Sequence, residues 1–155
     1  MSLKELISGW AKSGQIDWIG LRPERRRRME VADAAMVSAD GFDGDRGRAG
    51  KRAVTLIQKE HLSAIGSYMG RGPVTPDVLR RNLVVSGINL AALKGREVQV
   101  GDAILRITLI CAPCSRMEEA FGKGGYSAVR GHGGWCAEVV QPGRVRLGDV
   151  LQPVD

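Results

Sequence analysis

A chain of 155 residues, 43% hydrophobic and 26% charged, has the size and make-up of one globular domain. That length buries well over half of the unfolded surface without a disulfide or metal staple, and nowhere does an apolar run reach the roughly 18 residues of a membrane-crossing helix. The 23 basic and 17 acidic side chains leave a net charge of +6, which favours anionic partners, while 21 glycines and only 5% aromatics favour a turn-rich β protein over a helical bundle.

The opening "SLKELISGWAK" sets Leu3, Leu6, Ile7 and Trp10 at helical spacing behind Ser2 as a cap, which predicts a short amphipathic helix packed as an appendage over residues 1–14. It lacks the apolar core of a signal peptide, so the expected setting is the cytoplasm, with Cys111, Cys114 and Cys136 reduced. "QIDWIGLRP" reads as a strand with Ile16, Trp18 and Gly20 on one side and Ile19 and Leu21 on the other, stopped by Pro23. The following "RPERRRR" carries five arginines against one glutamate. With no aromatic platform or nucleic-acid motif beside it, it reads as a solvated rim rather than a nucleic-acid site.

"MEVADAAMVSADGFDGDRG" predicts a second strand ending in a glycine and aspartate loop, and "KRAVTLIQ" a third strand. Leu62, Ile65 and Met69 make "KEHLSAIGSYMG" the best internal helix, closed by Gly70; His61 falls off its apolar stripe and reads as solvated. Thr75 before Pro76 starts a short helical turn, and "NLVV" resumes extended structure. "REVQVGDAILRITLI" is a hairpin around Gly101 and Asp102 that aims at Cys111. A polar helix, "RMEEAF", leads into a glycine-rich loop containing His132, and "WCAEVVQPGRVRLGDVLQPV" reads as a last hairpin around Pro142 and Gly143. The sum is a mainly β domain with a few short helices: a barrel or strongly bent mixed or antiparallel sheet, spanning residues 1–155 with its core over 16–151.

Three constellations carry chemistry. In "CAPCSR", Cys111 and Cys114 have the spacing of half a zinc site, but Cys136 and His132 are poorly spaced to complete it, and no structural zinc is expected. The same spacing suits a redox dithiol, which normally opens a helix in a different kind of chain. The third reading is a single working thiolate at Cys114, held on a rigid strand and supported by the Arg116 charge, with Cys111 as a packing residue. In "GFDGDRGRAGKR", glycines beside Arg46, Lys51 and Arg52 suit an anion pocket, although neither a P-loop nor a dinucleotide fingerprint is present. In "LRRNLVV", Arg80 and Arg81 suit bidentate phosphate binding, and Asn82 suits a heterocycle edge or a loop brace.

The order of these segments, "GDR" before "AVTLI", then "RRNLVVSGINLAAL", "GREVQVGDAIL", "PCSR" and "GRVRLGDVL", resembles the MOSC domain family, named for the C-terminal domain of molybdenum-cofactor sulfurases. The resemblance covers about residues 16–151 and implies a barrel-like β fold that binds the molybdenum cofactor, a pyranopterin, or sulfur destined for it. It implies that Cys114 is the functional thiol, as a molybdenum ligand or a persulfide carrier, and that Arg80 and Asn82 contact the cofactor, with Arg46 in the "GDR" position. Three functions follow: a cofactor-binding domain serving reduction of N-hydroxylated or N-oxygenated compounds with an external redox protein; a persulfide carrier loaded by a pyridoxal-phosphate desulfurase; or a non-enzymatic anion-binding module. One departure stands out, because many relatives carry histidine after "GDR" where this chain has Gly47.

Overall fold

A computed structural model describes residues 1–154. Its strands are β1 (Gly14–Leu21), β2 (Glu30–Ala32), β3 (Ala34–Ser38), β4 (Gly41–Phe42), β5 (Val54–Gln58), β6 (Leu83–Ser86), β7 (Glu97–Val100), β8 (Ala103–Ile110), β9 (Trp135–Gln141), β10 (Gly143–Arg146) and β11 (Val150–Pro153). The helices are α1 (Leu3–Ser8), α2 (Lys59–Tyr68), α3 (Pro76–Leu79), α4 (Ser115–Phe121) and α5 (Gly125–Val129). Among the described residues, no helix is long and apolar enough to cross a membrane.

Seven strands in the order β11-β7-β8-β9-β5-β6-β1 close into a barrel, because β1 pairs back to β11 through Gly14 with Leu151 and Gln15 with Val150. Every barrel pairing is antiparallel except β5 with β6, whose parallel register needs the long crossover through α2 and α3. A second sheet of three strands, β10-β3-β4, lies outside that ring.

Burial divides the apolar residues between two clusters. Ile16, Ile19, Leu56, Leu83, Leu105 and Ile107 fill the barrel, whereas Ile57, Ile65, Leu79, Val84, Met117 and Val129 pack between its outer wall and the helices. All five residues of β5 are buried, since both of its faces are covered, and its unbroken "VTLIQ" run needs no polar alternation.

Several expectations need correction. Strand β1 does not alternate throughout: its register shifts between Ile16 and Trp18, so Ile16 and Ile19 both enter the barrel while Trp18 packs on the helix side. The segment read as one second strand is three, of which β2 extends the barrel sheet and β3 and β4 belong to the other. The closing segment is not a hairpin, because β9 pairs with β5 and β8 while β10 pairs with β3. The glycine-rich loop holds the helix α5. Ser2 does cap α1 in a reciprocal capping box with Glu5, but α1 buries none of its residues. Finally, His61 is not a freely solvated side chain: its ring meets that of His132 edge-on at 4.8 Å.

Candidate functional site

A cleft of about 520 Å³ lies where the loops after β1 and β4 meet the α3 terminus and the start of α4. Arg22, Arg26, Arg46, Arg80, Arg81 and Arg116 line it, with Glu119 the one acidic group on its wall. Val78, Leu79, Met117 and Ala120 supply an apolar side. Cys114 opens into the same cleft as an exposed, free thiol.

Each of these groups is positioned by local structure. Strand β8 ends at Ile110, Pro113 keeps the backbone extended, and Cys114 becomes the N-cap residue of α4, so its side chain projects where strand turns into helix. Arg116 follows in the first turn of that helix and is half-buried. Arg80 ends α3 in the left-handed conformation, at φ 56°, a position rarely taken by a residue with a side chain. Its guanidinium donates to the Arg27 and Glu24 carbonyls and so ties the arginine-rich loop down over the cleft. The Arg80 Nε is buried and meets no protein acceptor. Arg81 is braced differently, with Nε donating to the Gly133 carbonyl and Nη1 to that of Leu79, both at 2.7 Å.

Beneath the cleft sits a buried polar network centred on Asp45. Arg22 donates to it three times, from its backbone N–H (2.7 Å), Nε (3.1 Å) and Nη2 (2.9 Å), and the Gly47 N–H adds a fourth bond at 2.9 Å. Burial pushes the Asp45 pKa up, but the Arg22 hydrogen bonds and charge outweigh it and hold the carboxyl below its ordinary value. Asn82, fully buried, donates through Nδ2 to Asp45 Oδ1 (3.1 Å) and to the Gly20 carbonyl (3.0 Å), while its Oδ1 accepts from the Thr55 N–H and hydroxyl. Both amide hydrogens and the amide oxygen of Asn82 are therefore committed inside the protein, as a brace between β1, β5 and the "GDR" loop.

The structure thus gathers Arg46, Arg80, Arg81, Cys114 and Arg116 at one cleft, and sets Asn82 beneath it. Lys51 and Arg52 are exposed and stand apart from its lining, Lys51 meeting Thr108 through its own backbone carbonyl. Two contributors escaped the sequence reading. Arg22 and Arg26, taken as part of a solvated rim, face the cleft, and the signal that pointed to Arg22 was its place at the end of an apolar strand.

The electrostatics favour an anion. Burial lowers the Arg80 and Arg46 pKa values, and the neighbouring charges of Arg22 and Arg116 lower them further, so these cations repel one another in the free protein. An anion placed among them relieves that repulsion.

The MOSC domain family model matches residues 37–152, most of the chain and all of the segments that build the cleft apart from the arginine-rich loop. The chain belongs to the MOSC domain family. No curated protein matches this MOSC domain, but solved structures do. The YUAD protein from Bacillus subtilis is similar at TM-score 0.79 and 18% identity, over 92% of this chain and 97% of that one. YiiM from Geobacillus stearothermophilus aligns at TM-score 0.72 and 20% identity over 92% of this chain and 75% of its own, and YiiM from Escherichia coli at 0.70 and 19% over 91% and 70%. At these identities the likeness carries the barrel fold of the MOSC domain and not a shared activity.

Proposed function

We propose that this MOSC domain binds the molybdenum cofactor in the arginine-lined cleft, with Cys114 as the thiol that meets the metal. The observation that carries this reading is one exposed thiol opening into a cleft lined by six guanidinium groups. The donor set fits the group. A pyranopterin carries a phosphate, which suits Arg46, Arg80 and Arg116, and a soft metal centre, which suits a thiolate. The unpartnered Arg80 Nε adds a donor still without an acceptor. When bound, the cofactor would supply two-electron redox chemistry, and the reaction class that follows is reduction of N-hydroxylated or N-oxygenated compounds with electrons from an external redox protein in the cytoplasm. In that role Arg22 and Asp45 keep the loop in place, Asn82 fixes β1 to β5, and the guanidiniums hold the phosphate; Asn82 acts as a positioning residue rather than a contact.

Metal and pterin analysis tests this directly. Wild-type protein purified from a cofactor-competent host is expected to carry molybdenum and pterin in near-equal amounts. Cys114→Ala is expected to lose most of the molybdenum, and Arg80→Gln to lower pterin retention. Wild-type protein that holds neither component and takes up none on incubation overturns the proposal. The exposure of Cys114 also favours a second reading, in which it carries a persulfide from a pyridoxal-phosphate desulfurase. Mass spectrometry would then find added sulfur on Cys114 alone, and sulfur spread equally over Cys111 and Cys136 would count against it.

A further inference from the structure

Cys111, expected to be a packing residue, has a partner 25 residues away: its sulfur lies 3.1 Å from that of Cys136. The strand register brings them together. Ile110 pairs with Trp135 where β8 meets β9, and the Cys111 N–H donates to the Gly134 carbonyl, so Cys111 and Cys136 sit diagonally across the antiparallel pair and share a face. Ala137 points into the barrel, which leaves Cys136 on the outer wall. Both thiols are free, Cys136 buried and Cys111 half-buried.

We propose that Cys111 and Cys136 form a redox-active dithiol that hydrogen peroxide closes to an intramolecular disulfide, separately from any role of Cys114. The sulfurs need to approach by only about 1 Å to reach a bond length of roughly 2.05 Å, and they belong to adjacent, hydrogen-bonded backbone segments. The Cys136 thiolate attacks one peroxide oxygen; the S–O bond forms as the O–O bond breaks, and the departing hydroxide takes a proton to become water. Cys111 sulfur then attacks the Cys136 sulfenic acid. The S–S bond forms as S–O breaks, and the released hydroxide leaves with the Cys111 proton as a second water. Two thiols lose two electrons in all, and one peroxide gains them.

The surroundings support this order of events. The hydrogen bond from Cys111 brings the Cys136 pKa down to about 7, against the effect of burial and with help from the charges of Arg81, Arg52 and Arg22; Cys111, in the same contact, is held well above its ordinary value. A thiolate on Cys136, 3.1 Å from the Cys111 sulfur, sets a nucleophile and its resolving thiol against each other. Cys111 lies three residues before Cys114, so the disulfide would fix the backbone that leads into the cleft.

The test uses the Cys114→Ser protein, in which only these two thiols remain, so the outcome is independent of the cofactor reading. After peroxide treatment of folded protein and alkylation, the intact mass should show loss of two hydrogens. Peptide mapping should link Cys111 to Cys136, and dithiothreitol should reverse both changes. The rate should rise as pH passes upward through about 7 and then level off. A Cys111→Ser variant of unchanged circular dichroism should form no such bond. Two alkylatable thiols persisting after peroxide, or cross-links only between molecules, overturn the proposal. Mapping of oxidised wild type covers the case of a misfolded variant: a bond solely between Cys111 and Cys114 also overturns it.

Discussion

Asp45 is the residue on which most of the cleft floor depends. Its carboxylate accepts from Arg22, Gly47 and Asn82, and its side chain is fully buried while that of Arg22 is 12% exposed. Asp45→Asn keeps the shape and removes the charge, leaving a guanidinium without its counter-ion, and removal of one partner from a buried pair costs roughly 3 kcal/mol. Urea denaturation should report that loss as a lower midpoint at unchanged slope. The pH dependence has a definite sign. The folded carboxyl titrates below the ordinary 3.8, so the unfolded chain takes up the proton first. The contribution is whole above the unfolded value and is lost as pH falls through the folded one. Wild type should therefore lose stability faster than Asp45→Asn on acidification below about pH 4, and parallel curves would show that the charge of Asp45 does not stabilise the fold.

Just before β9, the packing against β5 leaves no room for a side chain at Gly134. Its φ is +95°, and a Cβ there would stand 2.1 Å from the Leu56 carbonyl oxygen on β5. Gly134→Ala combines backbone strain with a backbone clash and should cost roughly 2–4 kcal/mol, read as a fall in thermal midpoint. A change within measurement error would mean that the β5–β9 seam gives way easily. The same elements show what the sequence could reveal. The runs of β5, β7 and β8, the stripe of α2 and the glycine-aspartate turn were legible because period, caps and turn chemistry are local properties. The bulge in β1 and the divergence of β9 from β10 were not, because each depends on which strand lies alongside. Among the cleft residues, Cys114, Arg46, Arg80 and Arg116 stood out in short motifs. Arg22 was hidden in a run of like residues, Asn82 stood open between a heterocycle edge and a loop brace and is a brace once Thr55 and Asp45 surround it, and the Cys111–Cys136 contact exists only through register.

The barrel is closed by its two ends: β1 near the N-terminus and β11 near the C-terminus meet through only two residue pairs. Closure therefore joins segments far apart in sequence, and the chain must lose much of its loop entropy before that seam forms. Leu151 lies at the join, pairing with Gly14 of β1 and Val100 of β7, and it is completely buried in the barrel core. Leu151→Ala removes most of that side chain and should cost about 3 kcal/mol. The distribution of the loss is the more telling quantity. If the barrel stands or falls as one cooperative unit, hydrogen exchange in the variant will quicken for the slowest amides of β8, β9 and β5, on the opposite side of the ring, by the full stability change. If the seam merely frays, only β1, β11 and their neighbours β6 and β7 will exchange faster, and the far strands will keep their wild-type protection. Because Thr55 of β5 holds the Asp45–Asn82 brace and β9 carries Cys136, the cooperative result would tie both the cleft and the thiol pair to a join made between the two ends of the sequence.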